Sequence, residues 1–297
     1  MHNLRLAEKM LLVFLAYMVV ASLLFPLAWR ERFTLLLLNL LASVAITSLA
    51  RFAGQERGRL LVTLRDWLPC FLILLAYRES GMFFRPDPAH RLDYLFVRLD
   101  DVLLQNPWVE GFLELSAPWF QRYLEFAYFL CYPLVPLGLA ALYVDGRRHV
   151  SPANRSAREE AEFPAIDHFW TAVLLAALSS YILYPFFPLT PPRELFHDLP
   201  GPAVAPLIRK TNFWLLGQYG VGASLFPSGH VATTTAMALA LRKHLPRAGI
   251  VFLIAAASIA LATVYGRYHY AADALAGIVV GCAAAFLANR LHTLAQG

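Results

Sequence analysis

The chain has 297 residues, of which 59% are hydrophobic and only 15% charged, and its mean hydropathy is +0.53. A soluble domain of this length carries nearer a quarter charged residues, so composition excludes an ordinary soluble enzyme and assigns the chain to a lipid bilayer. The net charge of +5 is spread over short linkers between apolar runs instead of forming one basic patch, which argues against nucleic acid as a partner.

Apolar runs long enough to cross a hydrocarbon core of roughly 30 Å predict spans near 10–29, 33–51, 67–84, 123–144, 165–187, 226–241, 248–265 and 270–289. The expected fold class is all-α, a polytopic transmembrane helix bundle of six to eight spans, with eight favoured. Residues 1–66 are expected to form an amino-terminal hairpin with its cytoplasmic linker, and 67–297 the main membrane domain. Arg5 and Lys9 precede the first run as they would in a signal peptide. That run is too long, lacks a small-x-small cleavage site and is followed at once by another span, so it reads as a retained helix. Cys70, Cys131 and Cys282 each fall inside a predicted span and suggest packing, not a disulfide framework.

With eight spans, both termini share one side with the linkers near 52–66, 145–164 and 242–247. These stretches hold most of the chain's 25 Lys and Arg residues, and their bias marks the cytoplasmic face, with a solvated, topology-setting role for the charge. The NRS sequon at 154–156 falls on that face and is discounted. Loops 85–122 and 188–225 lie on the opposite side. Within the first, residues 89–104 place Leu92, Leu95, Phe96, Leu99 and Val102 on one helical face, which predicts a helix in the membrane interface, lining lipid entry or packing on the bundle. Glu125, Tyr128 and Tyr132 form a polar stripe in the fourth run, facing either a cavity or aromatic neighbours. Gly277 and Gly281 make a GxxxG pair in the last run, suited to close helix packing.

Three segments on the non-cytoplasmic side carry the chemistry. "YPFFPLTPPRELF" (184–196) breaks the fifth span with prolines and delivers Arg193, whose guanidinium suits phosphate oxygens. "PSGH" (227–230) opens the sixth span. Ser228 is a natural N-cap, and the amides of Gly229 and His230 lie in a first turn suited to an anion. His269 and Asp273 stand four apart, so in a helical start they share one side, with the carboxylate able to orient the imidazole. Taken singly, these are an interfacial anchor, a capped helix start and a structural His–Asp pair. Together they describe a metal-free phosphoryl-transfer site that needs no cofactor.

In order and spacing these motifs resemble the type 2 phosphatidic acid phosphatase (PAP2) superfamily. The resemblance implies a PAP2-type catalytic core over 67–297, with His269 as nucleophile forming a phosphohistidine and Asp273 supporting it. It makes His230 the general acid, with Arg193, Ser228, Gly229 and Arg267 binding phosphate. The family's first-motif lysine is replaced here by Phe186, and the arginine usually six residues before the nucleophile by Thr263. These departures, with "RDWLP", "AYRE", "DDVLLQNPW" and "LEFAYFLCYPLVP", are similar to the inositol phosphorylceramide synthase-like branch and its bacterial members. Arg78, Arg209 and Lys210 are further candidate phosphate ligands. The resemblance implies a membrane phospholipid or polyprenyl (di)phosphate substrate, in a bacterial inner membrane with the site facing the periplasm or exterior. The expected function is a lipid phosphatase that hydrolyses a lipid phosphate ester or diphosphate through a phosphohistidine, with headgroup transfer of the inositol phosphorylceramide synthase type second and lipid binding or transport without turnover disfavoured by the intact His230, His269 and Asp273.

Overall fold

The structure is a computed structural model that describes residues 4–56, 59–85, 87, 89–105, 117–149, 155–198 and 207–294. Asn154 of the sequon and parts of both long loops (106–116 and 199–206) lie outside the described residues. The described elements are helical apart from one two-residue ribbon. They comprise α1 (Leu6–Leu24), α2 (Trp29–Glu56), α3 (Arg59–Gly81), α4 (Arg91–Leu104), α5 (Pro118–Phe129), α6 (Leu134–His149), α7 (Arg155–Leu183), α8 (Leu207–Tyr219), α9 (Gly229–His244), α10 (Pro246–Tyr265) and α11 (Ala271–Leu294). Six helices are long and apolar enough to cross a membrane, and a seventh crossing is possible if the bent pair α5–α6 counts as one.

Two expected spans therefore differ from the structure. The run at 123–144 is not straight, because α5 and α6 meet at 73°. Pro133, which lacks an amide donor, lies in the break and Pro136 in the turn after it, so the helical ladder cannot run through. The run at 226–241 becomes α9, only 16 residues long, packed among α7, α10 and α11. Its apolar character serves contact with other helices. Val231, Ala232, Ala236, Met237 and Ala238 are fully buried.

Small side chains set this close central packing. Ala172 and Ala176 of α7 meet Ala232, Ala236 and Ala240 of α9 and Ala284 and Ala288 of α11. A Cβ on Gly277 would lie 2.8 Å from the Ser228 carbonyl oxygen, and one on Gly281 would lie 2.6 Å from that of Ala232. The GxxxG pair is thus the seam along which α11 approaches α9.

At one end of the bundle, α1 is anchored by buried charge. Arg5 pairs with Asp66 and Arg65 with Glu8, each side chain at most 8% exposed. Asp66 also accepts from the Tyr143 hydroxyl, and its carbonyl accepts from Trp170 Nε1 at 2.8 Å. Arg5 and Arg65 are therefore not solvated linker charges as expected from sequence. Their partners lie in other helices, brought close only by folding.

Candidate active site

At the other end of the bundle the three motifs are joined by backbone contacts. Residues Pro188–Leu189 pair antiparallel with Ser224–Leu225, bringing the arginine segment alongside the approach to α9. The Arg193 amide donates to the Arg267 carbonyl at 3.1 Å, and the Ser228 amide donates to the Asp273 carbonyl at 3.1 Å. The Tyr270 hydroxyl donates to the Thr190 carbonyl at 3.0 Å. Prolines 191 and 192 start a single helical turn, Pro192–Leu195, that carries Arg193.

These contacts shape a polar cavity lined by Arg193, Gly229, His230 and His269, with Tyr77, Tyr128, Tyr181, Tyr184 and Tyr268 among its walls. His269 Nδ1 lies 3.3 Å from Asp273 Oδ2, and that oxygen also accepts from the Tyr270 amide at 3.3 Å. Asp273 is fully buried and the His269 side chain is 10% exposed. A carboxylate there requires Nδ1 to carry its proton, so the Nε2 lone pair is the one available for chemistry. The rings of His230 and His269 are 6.4 Å apart, nearly perpendicular. Tyr132, at 5.8 Å from the His230 ring, and Tyr128, at 6.3 Å, flank it. Glycine is required at 229, where a Cβ would lie 2.3 Å from the Tyr184 hydroxyl oxygen. Ser228 caps α9, accepting from the Val231 amide at 3.5 Å, and is fully buried and not among the cavity-lining residues.

The other basic candidates are placed elsewhere. Arg209 is buried in an ion pair with Glu125, which also accepts from Asn212 Nδ2 at 3.1 Å and the Tyr268 hydroxyl at 2.7 Å. Tyr268 in turn stacks on Tyr128 with centroids 3.6 Å apart. Arg209 and the Glu125–Tyr128 stripe therefore brace the residue just before His269, and the guanidinium does not line the cavity. Arg78 donates to the carbonyls of Tyr219 and Gly220, at 3.0 and 3.1 Å, holding a cavity loop by its backbone. Lys210 is exposed on α8 and does not line the cavity. Arg267 adopts a positive φ of 58° in the tight loop before His269 and also lies outside the lining.

The two positions that depart from the family pattern do not face the cavity either. Phe186 is 56% exposed and packs edge-on against Phe25 at 5.6 Å. Thr263 is fully buried, and its carbonyl accepts the amides of Tyr268 and His269 at 2.9 and 3.1 Å. Of the tyrosine walls only Tyr128 was legible in the sequence, as part of the polar stripe; Tyr77, Tyr181, Tyr184 and Tyr268 and the acids of α4, Asp93 and Asp100, which reach the motif loops, were not. "AYRE" and "DDVLL" were visible as motifs, but a role for Tyr77 or Asp100 depends on partners far along the chain.

Residues 169–296 match the PAP2 superfamily profile. Over 55 residues the chain is 54% identical to a PA-phosphatase related-family protein of Dictyostelium discoideum, a stretch amounting to 18% of this chain and 10% of that protein. The chain thus matches about a tenth of the length of that curated relative. No solved structure matches significantly. The region that matches the PAP2 superfamily profile contains Arg193, the PSGH segment, His269 and Asp273.

Proposed function

We propose that the protein is an integral membrane lipid phosphatase that cleaves a lipid phosphate ester or diphosphate through a phosphohistidine. The observation that carries this reading is the His269–Asp273 pair, set in one cavity with His230 and Arg193. His269 Nε2 attacks phosphorus and the bond to the lipid oxygen breaks, with His230 giving that oxygen its proton. Water then attacks the phosphohistidine, His230 takes up the water's proton, and phosphate leaves. Arg193 and the first-turn amides of α9 offset charge on the phosphoryl oxygens, and Asp273 stabilises the charged imidazole. Among the described residues, no three His, Cys, Asp or Glu side chains converge as a metal ion would need.

A helix start at the membrane surface holds a phosphate at headgroup depth while the lipid chains stay in the bilayer. Phosphatidic acid, phosphatidylglycerophosphate and polyprenyl diphosphates fit that placement. The charge bias of the linkers supports a site facing away from the cytoplasm. A second reading is headgroup transfer, in which a lipid hydroxyl replaces water. It is favoured by one feature: Arg193 is the single Lys or Arg lining the cavity among the described residues, beside five tyrosines, and a phosphodiester carries less charge than a monoester.

The test incubates purified protein with a panel of these lipids, with and without a hydroxyl acceptor, measuring free phosphate and transferred product in parallel. Phosphate release that survives excess chelator and disappears in His269→Ala is expected. Near-normal turnover in His269→Ala, or a strict Mg²⁺ requirement, overturns the mechanism.

A further inference from the structure

Helix α4 is amphipathic with its apolar side outward. Leu95, Leu99 and Val102 are exposed, Val102 at 84%, whereas Phe96 is buried at 4% and Asp93 at 2%. The apolar stripe expected from sequence is thus divided, and the inward side combines Phe96 with acids. Phe96 packs against Phe226 and Tyr270, with ring centroids 5.1 and 5.7 Å away. Carboxylates directed into protein lose hydration and must find donors. Asp93 lies 2.7 Å from His90 Nδ1 and accepts from the Thr190 amide at 2.7 Å.

Asp100 finds its donors on α11. Its two oxygens accept from the amides of Ala271, at 2.9 Å, and Ala272, at 3.1 Å. These are the first two residues of α11, whose amides have no intrahelical carbonyl partner. The preceding residue, Tyr270, has a side chain unsuited to capping, and its hydroxyl is engaged with Thr190. Asp100 therefore supplies from another helix the cap that the local sequence lacks, at the terminus where negative charge is favoured. His269 lies two residues before Ala271, and Asp273 is the third residue of α11.

We infer that Asp100 is a positioning residue for the nucleophile: by capping the first turn of α11 from α4, it fixes the loop on which His269 and Asp273 meet. Through Asp93 and Thr190, the same helix also holds the segment leading to Arg193. Helix α4 thus sets the spacing between the phosphate-binding arginine and the attacking imidazole. A residue needed only for packing would be apolar here. Burial instead pushes the Asp100 carboxyl up to about 6, against the lowering effect of the two amides and with Asp273 and Asp101 adding repulsion. The inference rests on the phosphohistidine reading above.

The test uses the full chain in detergent micelles with ³²P-labelled phosphatidic acid. Wild type should turn over and become labelled, and His269→Ala should not. A wild type that is labelled by none of ³²P-labelled phosphatidic acid, phosphatidylglycerophosphate or a polyprenyl diphosphate removes the parent reading, and this inference falls with it. Given a labelled wild type, Asp100→Asn should lower kcat and the rate of labelling at least tenfold, with KM within twofold. Hydrogen exchange over 266–275 should rise at least tenfold in the same variant. Asp101→Asn, one residue along, should match wild type in all four readouts. Asp100→Glu keeps the charge and should recover part of the rate, and it carries the same measurements if the asparagine variant does not fold. The inference is overturned, with the parent reading intact, by a kcat within twofold of wild type. It is equally overturned by a lowered kcat with unchanged exchange over 266–275.

Discussion

Arg209→Met tests whether this arginine braces the site or binds substrate. In the folded protein the side chains of Arg209 and Glu125 are 10% and 2% exposed. Removing the guanidinium leaves Glu125 buried with Asn212 and the Tyr268 hydroxyl as remaining donors. Breaking a buried pair from one side typically costs about 3–5 kcal/mol, because the surviving charge is left uncompensated. Loss of the guanidinium from the Phe213 ring, 4.7 Å from its centroid, contributes up to about 1 kcal/mol more. The double variant Arg209→Met/Glu125→Gln removes both charges and should recover most of the loss. Denaturant unfolding in detergent reads the stabilities, and KM for phosphatidic acid, corrected for folded fraction, should stay within twofold. A single variant that keeps wild-type stability while KM rises tenfold or more would refute the reasoning and return Arg209 to the phosphate.

Asp273→Asn preserves shape but removes the charge that orients His269, and kcat should fall by about 10²–10⁴ with little change in KM; a loss under threefold in single-turnover labelling counts against the pair. Gly281→Ala places a methyl 2.6 Å from the Ala232 carbonyl and should destabilise by about 1–3 kcal/mol, whereas Gly217→Ala, in helix α8 with nothing within 4 Å of its Cβ, should not lower the thermal midpoint. Because the carboxyl of Asp100 is raised from 3.8 to about 6 by burial, the folded state holds its proton more tightly than the unfolded chain. Its contribution to stability is therefore full below about pH 4 and declines as the pH rises through about 6, a slope that Asp100→Asn should abolish in unfolding curves. For sidedness, cysteines are introduced singly at Asp198 and Ser156 after Cys70, Cys131 and Cys282 are replaced. An impermeant thiol reagent on intact cells should label position 198 and spare 156, and the reverse pattern puts the site in the cytoplasm.

Local features were legible in the sequence because local physics governs them. Hydropathy over some twenty residues identified bilayer segments, and Ser228 ahead of an apolar run announced a capped helix. The four-residue separation of His269 and Asp273 suggested a contact within one helical turn, but α11 begins only at Ala271, so His269 meets Asp273 from the loop that precedes the helix. Glycines four apart likewise announced a close helix seam. Tertiary structure alone decided what each charge and each apolar face would meet. Arg209 looks like a phosphate ligand until α5 places Glu125, 84 residues away, against it. Phe186 and Thr263 looked like gaps in a ring of cations, yet one faces outward and the other is buried under the loop that carries His269. Helix α4 gives the physical reason most clearly. In a bilayer an apolar stripe is at home against lipid as well as against protein, so its pattern fixes which residues share a side and not which side turns inward. The contacts of Asp93 and Asp100 with Thr190, Ala271 and Ala272 settle that orientation.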